Sequence, residues 1–324
     1  MGEPLLTARG VVKHYPIRRG LLQREVGRVH AVDGFDLDVF PGETVGLVGE
    51  SGCGKSTISR VLVGLLKPTA GQVFFAGQDI SKLHRSELKL IRRDIQFVFQ
   101  DPIGSLDPRM KVGDIVAEGL DAQGGLSRTE TGKLVREILH SVGLPEEAMR
   151  RYPHEFSGGQ RQRIGIARAL VLRPKLVIAD EPVSALDVSI QSQVLNLLVK
   201  LKRELQLTYV LVAHNMAVVG YISDRIAVMY LGKIVELAKT ADLFASPLHP
   251  YTQALLSAVP EPVVGRQRQR IVLSGDVPSP VNPPSGCRFR TRCSRAQAIC
   301  GVQEPQLQAR ATASADHFAA CHFA

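Results

Sequence analysis

The chain has 324 residues, of which 44% are hydrophobic and 22% are charged, so it can form a packed core, and global disorder is excluded. Lysine and arginine number 40 against 31 aspartates and glutamates, and a net charge of +9 favours partners that carry phosphate: nucleotides, nucleic acids or anionic lipids. Every apolar run is far shorter than the roughly 18 residues of a membrane span, and no secretory signal is visible, so we expect a soluble cytoplasmic protein.

The predicted elements alternate between strands and helices. In chain order, we expect strands at 44–48, 71–76, 95–99, 175–179 and 208–213, and helices at 55–66, 129–142, 159–172 and 189–206. This alternation predicts an α/β fold with a largely parallel sheet. Beyond about residue 245, closely spaced prolines prevent long regular elements, so we place a domain boundary near 240–260.

A glycine-rich loop follows the first of these strands. It matches G-x-x-x-x-G-K-[ST] in full, with Gly49, Glu50, Ser51, Gly52, Cys53, Gly54, Lys55, Ser56 and Thr57 in sequence. Such a loop directs backbone N–H groups at phosphate oxygens. Lys55 would neutralise the charge of the β- and γ-phosphates, Ser56 would bind Mg²⁺, and the following helix adds its dipole.

An apolar strand ending in two acids supplies the second half of a nucleotide site. Residues 176–179 are apolar, and Asp180 and Glu181 follow them. Asp180 at the carboxyl end of a strand is placed to hold Mg²⁺, and Glu181 is placed to accept a proton from an attacking water. The two motifs together predict nucleotide hydrolysis.

A third motif follows Phe156 and opens a predicted helix. It consists of Ser157, Gly158, Gly159 and Gln160, and its serine and glycines form a second backbone site for an anion. Two such helix starts, but only one lysine-containing phosphate loop, indicate that the two sites face each other across a dimer.

With these motifs in this order, the sequence resembles the ATP-binding cassette (ABC) ATPases, and in particular the ATP-binding subunits of bacterial dipeptide and oligopeptide importers. The resemblance implies a P-loop NTPase with a RecA-like parallel core, an antiparallel β subdomain, a helical subdomain at about 101–172, and a cysteine-rich tail. The cassette would span 1–245 and the tail 246–324. The sequence departs from the usual family pattern in two places. Phe156 replaces the commoner leucine before the third motif, and Ala213 and Asn215 flank His214 where serine and aspartate are usual.

The resemblance also implies roles for single residues. Tyr15 would stack on adenine, Gln100 would sense Mg²⁺ and meet the membrane subunit, and His214 would contact the γ-phosphate. The motif at 157–160 would close over ATP bound to the opposite subunit, and Asp187 lies in the loop that joins the two active sites. With Lys55 and Glu181, Gln100 and His214 complete the expected catalytic set.

Four of the five cysteines lie in the last forty residues: Cys287, Cys293, Cys300 and Cys321. Their spacing fits neither a zinc ribbon nor a ferredoxin run, and from spacing alone zinc and an iron–sulfur cluster are equally good interpretations of a metal site. The peptide-importer resemblance implies a 4Fe-4S cluster with a structural role. Nearby arginines, at 288, 290, 292 and 295, could offset the charge of the thiolates, and a solvated basic loop is the alternative interpretation.

The predicted function is the ATP-hydrolysing motor subunit of a peptide importer, a translocase-class ATPase at the cytoplasmic face of the inner membrane. Its expected partners are a paralogous ATP-binding subunit, two transmembrane permease subunits and a periplasmic or extracellular substrate-binding protein. The alternatives are a soluble cassette ATPase that acts on nucleic acid or the ribosome, and a purely regulatory ATP-binding module. The first alternative rests on the net charge alone, and the second is disfavoured by the complete catalytic set.

The charge excess lies at the two ends of the chain. Residues 1–30 and residues 261–324 each carry a net charge of +4, whereas residues 31–260 carry +1. A nearly neutral core does not suit a nucleic-acid track. We expect the N-terminal basic residues, among them Arg18, Arg19, Arg24 and Arg28, to meet lipid headgroups.

Overall fold

The structure is a computed structural model that describes residues 2–21, 23–101, 104–259, 270–310 and 316–324. The strands are β1 (Leu6–Arg19), β2 (Arg24–Val39), β3 (Thr44–Val48), β4 (Ala70–Phe75), β5 (Gln78–Asp79), β6 (Ile95–Val98), β7 (Leu176–Asp180), β8 (Thr208–Ala213), β9 (Arg225–Tyr230), β10 (Lys233–Lys239), β11 (Gln308–Ala309) and β12 (Phe318–Ala319). The helices are α1 (Lys55–Leu62), α2 (Arg85–Asp94), α3 (Val112–Gln123), α4 (Arg128–Ser141), α5 (Gly158–Leu170), α6 (Val188–Leu205), α7 (Met216–Ile222), α8 (Thr240–Ala245), α9 (Pro250–Ser257) and α10 (Ile299–Val302). Short 3₁₀ turns occur at Glu146–Arg150 and Pro153–Glu155.

The described chain divides into two compact units, which are considered separately. One contains Val39–Thr44 and Lys82–Val212, together with the first residues of the chain. In it β6, β7 and β8 form a parallel series, with Leu176 opposite both Ile95 and Thr208. All five residues of β7 are buried, as expected for a parallel strand that is covered on both faces.

Helices α3, α4 and α5 of this unit pack on one another and occupy the segment for which a helical subdomain was predicted. Two of them begin with a capping box: Ser127 and Glu130 cap α4, and Ser157 and Gln160 cap α5. In such a box each side chain satisfies a backbone N–H that the first helical turn leaves without a partner. Residues 102 and 103 of the predicted subdomain lie outside the described residues.

The second unit contains Pro4–Asp38, Val45–Ser81 and Ala213–Ala324. Its four-stranded sheet has the order β2-β1-β4-β5, with β4 antiparallel to both β1 and β5. A second series runs β3-β9-β10-β12-β11. Strands β3 and β9 are parallel, and the rest of this series is antiparallel, so the segment after residue 300 adds two short strands beside β10.

All nine predicted elements are confirmed to within a few residues at their ends. Four long or buried strands were not predicted: β1, β2, β9 and β10. After residue 245 the prolines limit regular structure as expected, and the longest described helix there is the eight-residue α9, which has Pro250 in its first turn. Of the prolines that indicated the boundary, Pro260 and Pro262 lie outside the described residues.

Candidate functional site

The phosphate loop joins β3 to α1, as the sequence predicted. Gly54 caps the helix with a left-handed φ of 105°, and a Cβ at this position would lie 2.1 Å from the carbonyl oxygen of Ala31. The N–H groups of Thr57 and Ile58 donate to the Gly54 carbonyl at 3.1 and 2.9 Å. The chain therefore turns directly from the loop into the positive end of a helix, where an anion is stabilised.

Lys55 is 4% exposed, and its ammonium lies inside the loop. Nζ donates to the carbonyl oxygens of Gly49 and Glu50 at 2.7 and 3.0 Å. Cys53 Sγ lies 3.7 Å from the same ammonium, and burial raises the pKa of this thiol although Lys55 opposes the shift. Cys53 is therefore a protonated packing residue of the loop, while Ser51 and Gly52 are exposed and Ser56 and Thr57 are half-buried in the first helical turn.

Tyr15 and His214 belong to the same unit as the loop. Tyr15 lies on β1 with 37% of its surface exposed, and Lys13 Nζ lies 5.3 Å from the centre of its ring. His214 is exposed directly after β8, just before Asn215 caps α7 by accepting the N–H of Ala217 at 2.8 Å. An exposed aromatic face and an exposed imidazole suit the predicted contacts with adenine and phosphate.

The predicted acids lie in the other unit, at the carboxyl end of β7. Asp180 is buried as the last residue of the strand. Glu181 follows with a φ of 46°, a left-handed conformation that non-glycine residues rarely adopt. The Glu181 N–H donates to the carbonyl of Val212 at 2.9 Å, and Ser184 Oγ donates to the carbonyl of Glu181 at 3.1 Å. The backbone strain is therefore held by neighbours on both sides, which is typical of functional positions.

The structure brings Gln100 and Glu181 together. Gln100 Nε2 donates to Glu181 Oε2 at 2.9 Å, across 81 positions of sequence. The amide fixes the direction of the carboxylate, and a carboxylate oxygen is a group that can accept a proton or orient a water. Two residues predicted separately as catalytic thus form one hydrogen-bonded pair.

The third motif opens α5. Ser157 Oγ accepts the N–H of Gln160 at 3.4 Å, and Gln160 Oε1 accepts the N–H of Ser157 at 3.0 Å. Phe156 is buried under the guanidinium of Arg151, 4.6 Å from its ring centre, whereas Ser157 and Gly158 are exposed. The aromatic residue that replaces the usual leucine is thus an anchor for the helix start. Asp187 is also exposed and precedes α6.

The four late cysteines form one neighbourhood, and all are free thiols. The Cys287 N–H donates to the Cys300 carbonyl at 2.8 Å. Burial raises the pKa of Cys287 to about 11; the backbone N–H of Phe289 opposes this, and the three other thiols raise it further. Cys293 receives the N–H of Arg295, and Cys321 receives the N–H of Phe323 at 3.4 Å.

Three of the four sulfurs therefore accept an N–H from the residue two positions further along the chain. Backbone donors of this kind stabilise charge on sulfur.

The tail arginines do not take the predicted role of offsetting four thiolates. Arg288 pairs with Asp33 and donates to the carbonyl of Leu231 at 2.6 Å. Arg292 pairs with Glu50 of the phosphate loop, with nitrogen–oxygen distances of 2.6 and 3.1 Å. Arg295 does act on a thiol, since it lowers the pKa of Cys293 against the effect of burial. The physical reason is that carboxylates attract the guanidinium groups more strongly than protonated thiols do.

Sequence reasoning missed a further cluster of His14, His30 and Asp33. His14 Nε2 lies 3.1 Å and His30 Nδ1 lies 3.4 Å from the Asp33 carboxylate. Burial alone would raise the pKa of Asp33, but the bonded Arg288 lowers it below its usual value. The Arg288 guanidinium already neutralises the carboxylate charge that a metal ion would need. The cluster is therefore an ion-pair network. The cluster joins β1, β2 and the tail residue Arg288, so no local pattern in the sequence signals it.

Within the described ranges, no helix has the length and apolar character needed to cross a bilayer.

Comparisons with known proteins place these motifs in context. Residues 32–184 match a family model described as "ABC transporter", and residues 235–300 match one described as "Oligopeptide/dipeptide transporter, C-terminal region". The oligopeptide transport ATP-binding protein AppF of Bacillus subtilis (strain 168) is 54% identical over 326 residues, covering 99% of this chain and 97% of AppF. A putative peptide import ATP-binding protein of Brucella ovis is 51% identical over 98% of this chain and 97% of its own length.

Solved structures of ABC cassettes are also similar to this chain. A dimeric post-hydrolysis state of the ATP-binding cassette MJ0796 bound to ADP and Pi has a TM-score of 0.65 and 32% identity, covering 72% of this chain and 98% of that one. The structure of cbiO1 from Clostridium perfringens, part of the ABC transporter complex cbiONQ, also has a TM-score of 0.65, with 28% identity over 76% of this chain and 92% of that one.

Proposed function

The chain belongs to the ABC transporter ATPases, and from this premise we propose that it is the ATP-hydrolysing subunit of a peptide importer. The peptide cargo follows from relatives whose names specify peptide or oligopeptide transport and from the C-terminal region shared with that group. The observation that carries the hydrolytic role is the Gln100–Glu181 pair at the end of buried β7. The nucleic-acid alternative gains no support from these comparisons.

Each predicted residue then has a task that its surroundings support. The backbone of 49–57 and the Lys55 ammonium hold the phosphates, because the loop ends at the start of a helix. Ser56 and Asp180 provide the hydroxyl and carboxylate oxygens that Mg²⁺ prefers, and Tyr15 stacks on the base through its exposed face.

The chemical step falls to three side chains. Glu181, oriented by Gln100, accepts the proton of the attacking water, and His214 stabilises charge on the transferred phosphoryl group. In-line attack needs both an oriented nucleophile and charge stabilisation, and the chain supplies a group for each.

Assembly follows from the exposed start of α5. We infer that Ser157, Gly158, Gly159 and Gln160 close over ATP held by a second cassette, with Asp187 in the connecting loop. The second cassette is proposed to be a paralogous subunit. Two permease subunits and a substrate-binding protein complete the importer, with this chain peripheral at the cytoplasmic face of the membrane and 246–324 as its tail.

The hydrolytic proposal is tested with Glu181→Gln, which keeps the shape of the side chain and removes its basicity. We expect ATP turnover to fall by about 10² or more, the usual contribution of a general base, while ATP binding is retained. Lys55→Ala should lose ATP binding instead. Glu204→Gln, an exposed position on α6, is the matched control and should hydrolyse ATP normally. Normal hydrolysis by Glu181→Gln would make the assignment wrong.

For the tail, we propose that Cys287, Cys293, Cys300 and Cys321 hold a 4Fe-4S cluster, with zinc as the alternative. The support is the N–H donation to three of the sulfurs and the match to the peptide-transporter C-terminal region. When bound, the cluster would supply a structural cross-link between the four neighbouring cysteines.

Anaerobic purification should yield brown protein with about four irons and four sulfides per chain, and Cys321→Ser should lower that content. A colourless, iron-free protein would contradict the cluster, and one zinc per chain would establish the alternative.

A further inference from the structure

The segment between Cys287 and Cys293 reaches the phosphate loop. Its residue Arg292 is 9% exposed and forms a two-point ion pair with Glu50, the second residue of the loop, 242 positions away in sequence. The hydrogen bond to Glu50 raises the pKa of Arg292 above its usual range. A planar guanidinium that meets both oxygens of a carboxylate fixes its orientation as well as its position.

Glu50 passes this constraint on to Lys55. The Glu50 N–H donates to the hydroxyl of Tyr251 at 2.8 Å, and the Glu50 carbonyl accepts the Lys55 ammonium at 3.0 Å. Side chain, N–H and carbonyl of Glu50 are thus all engaged. A shift of this residue must move the carbonyl that holds the lysine expected to bind the phosphates.

The segment is itself firmly packed beneath the loop. Phe289, 2% exposed, lies 5.2 Å from the ring of Tyr230 and 5.4 Å from that of Tyr251, and those two tyrosine rings are 4.8 Å apart. These aromatic contacts join the segment to β9 and α9. Because the ion pair is largely removed from water, loss of Arg292 would leave a poorly solvated carboxylate next to the phosphate site.

Both ends of the segment are cysteines of the tail site. We propose that Arg292 is a positioning residue for ATP binding, acting through Glu50, and that the cysteine site sets its position by holding Cys287 and Cys293. This inference rests on the proposed role of the phosphate loop. It gives the tail a task in the ATPase cycle: the segment, held at Cys287 and Cys293, keeps the loop in its binding conformation.

The test measures the affinity of the full chain for ATP with Mg²⁺ by titration calorimetry. Arg292→Met should weaken binding by about tenfold, which corresponds to about 1.4 kcal/mol, and should raise the KM for ATP more than it lowers kcat. Arg292→Lys keeps the charge and should recover part of the loss. Glu50→Gln with Arg292→Met should bind better than Arg292→Met alone, because no uncompensated carboxylate remains.

Arg290 supplies the matched control, since it lies in the same segment but donates to the Ser285 carbonyl at 2.9 Å instead of the loop. Arg290→Met removes the same charge and should leave the affinity for ATP within about twofold of wild type. Wild-type affinity in folded Arg292→Met, or an equal loss in Arg290→Met, would overturn the proposal.

The link to the cysteine site is tested in the same assay with Cys293→Ser. This variant should weaken ATP binding in the wild-type background and add no further loss to Arg292→Met. Unchanged binding, or fully additive losses, would overturn the link. Absence of ATP binding in the wild type would instead refute the proposed function itself, so the two failures are distinguishable.

Discussion

His249 makes the stability of the second unit depend on pH. Its ring is 1% exposed at the start of α9, where Nδ1 accepts the N–H of Tyr251 at 3.1 Å. Only a neutral ring with an unprotonated Nδ1 can do this. Burial lowers the pKa of His249 from 6.5 to about 4, although the facing carboxylate of Glu236 opposes the shift. Glu236 is shared with His317, whose Nε2 lies 2.7 Å from it.

The sign and size of the effect follow from this lowered pKa. Near pH 7 His249 is neutral in both folded and unfolded chains and contributes nothing. As the pH falls below 6.5, the unfolded chain takes up a proton that the folded chain refuses until about pH 4. The folded state should therefore lose about 2 kcal/mol between about pH 7 and about pH 5, and about 3.4 kcal/mol in the limit.

The assay is urea unfolding at several pH values, followed by far-UV circular dichroism because the sequence contains no tryptophan. His249→Asn is the matched variant, since asparagine also caps helices but does not titrate. The smaller side chain changes the free energy of unfolding by an amount that does not depend on pH. The informative quantity is therefore how the difference in this free energy between the two proteins changes with pH. Titrating groups that do not interact with His249 cancel in that difference. A difference that stays constant between about pH 5 and about pH 7 would refute a buried neutral His249.

Two further predictions use matched pairs. Ser157→Ala and Ser127→Ala each remove a helix cap and should each cost about 1 kcal/mol in the free energy of unfolding, but only Ser157→Ala should lower ATP turnover by about tenfold or more. Equal turnover in the two variants would contradict a nucleotide role for the start of α5. Gly71→Ala places a Cβ 2.3 Å from the carbonyl oxygen of Gly10, at a φ of 83°, whereas Gly77→Ala has a similar φ of 80° and open space. Thermal unfolding should show a loss of about 1 kcal/mol for Gly77→Ala and about 2 kcal/mol more for Gly71→Ala, and equal losses would contradict the close approach of β1 and β4.

The elements that the sequence predicted are those with local signals. Strands β3, β7 and β8 are short, continuous apolar runs because both faces are covered, and the glycine motif marks the turn into α1. The starts of helices α4 and α5 are marked by a serine followed three residues later by glutamate or glutamine. Such patterns need no knowledge of the partner, so their positions were correct to within a few residues.

The missed strands lack a local signal of that strength. Strands β1 and β2 are 14 and 16 residues long, and much of each is exposed, so their apolar alternation is weak. Strand β1 pairs with the distant strand β4, and β2 pairs with β1 at the edge of the sheet. The β9–β10 hairpin was detectable, because two apolar runs flank Leu231 and Gly232, whose φ values are 44° and 84°. A two-residue turn with both φ values positive is the preferred hairpin connection, and a glycine in that position is its usual sign.

The ion pairs of the tail arginines could not be predicted from the sequence. Composition located the surplus charge in the tail, and the proximity of arginines to cysteines in sequence favoured neutralisation of thiolates. In three dimensions Arg288 and Arg292 lie on the carboxylates of Asp33 and Glu50, both more than 240 positions away in sequence, and the thiols are served by backbone N–H groups instead. Hydrogen bonds from backbone N–H groups leave no pattern of residue types in a sequence. Ion pairs between distant positions cannot be recognised from a single sequence either. The charge of Arg288 and Arg292 therefore binds the tail to β2 and to the phosphate loop of its own unit.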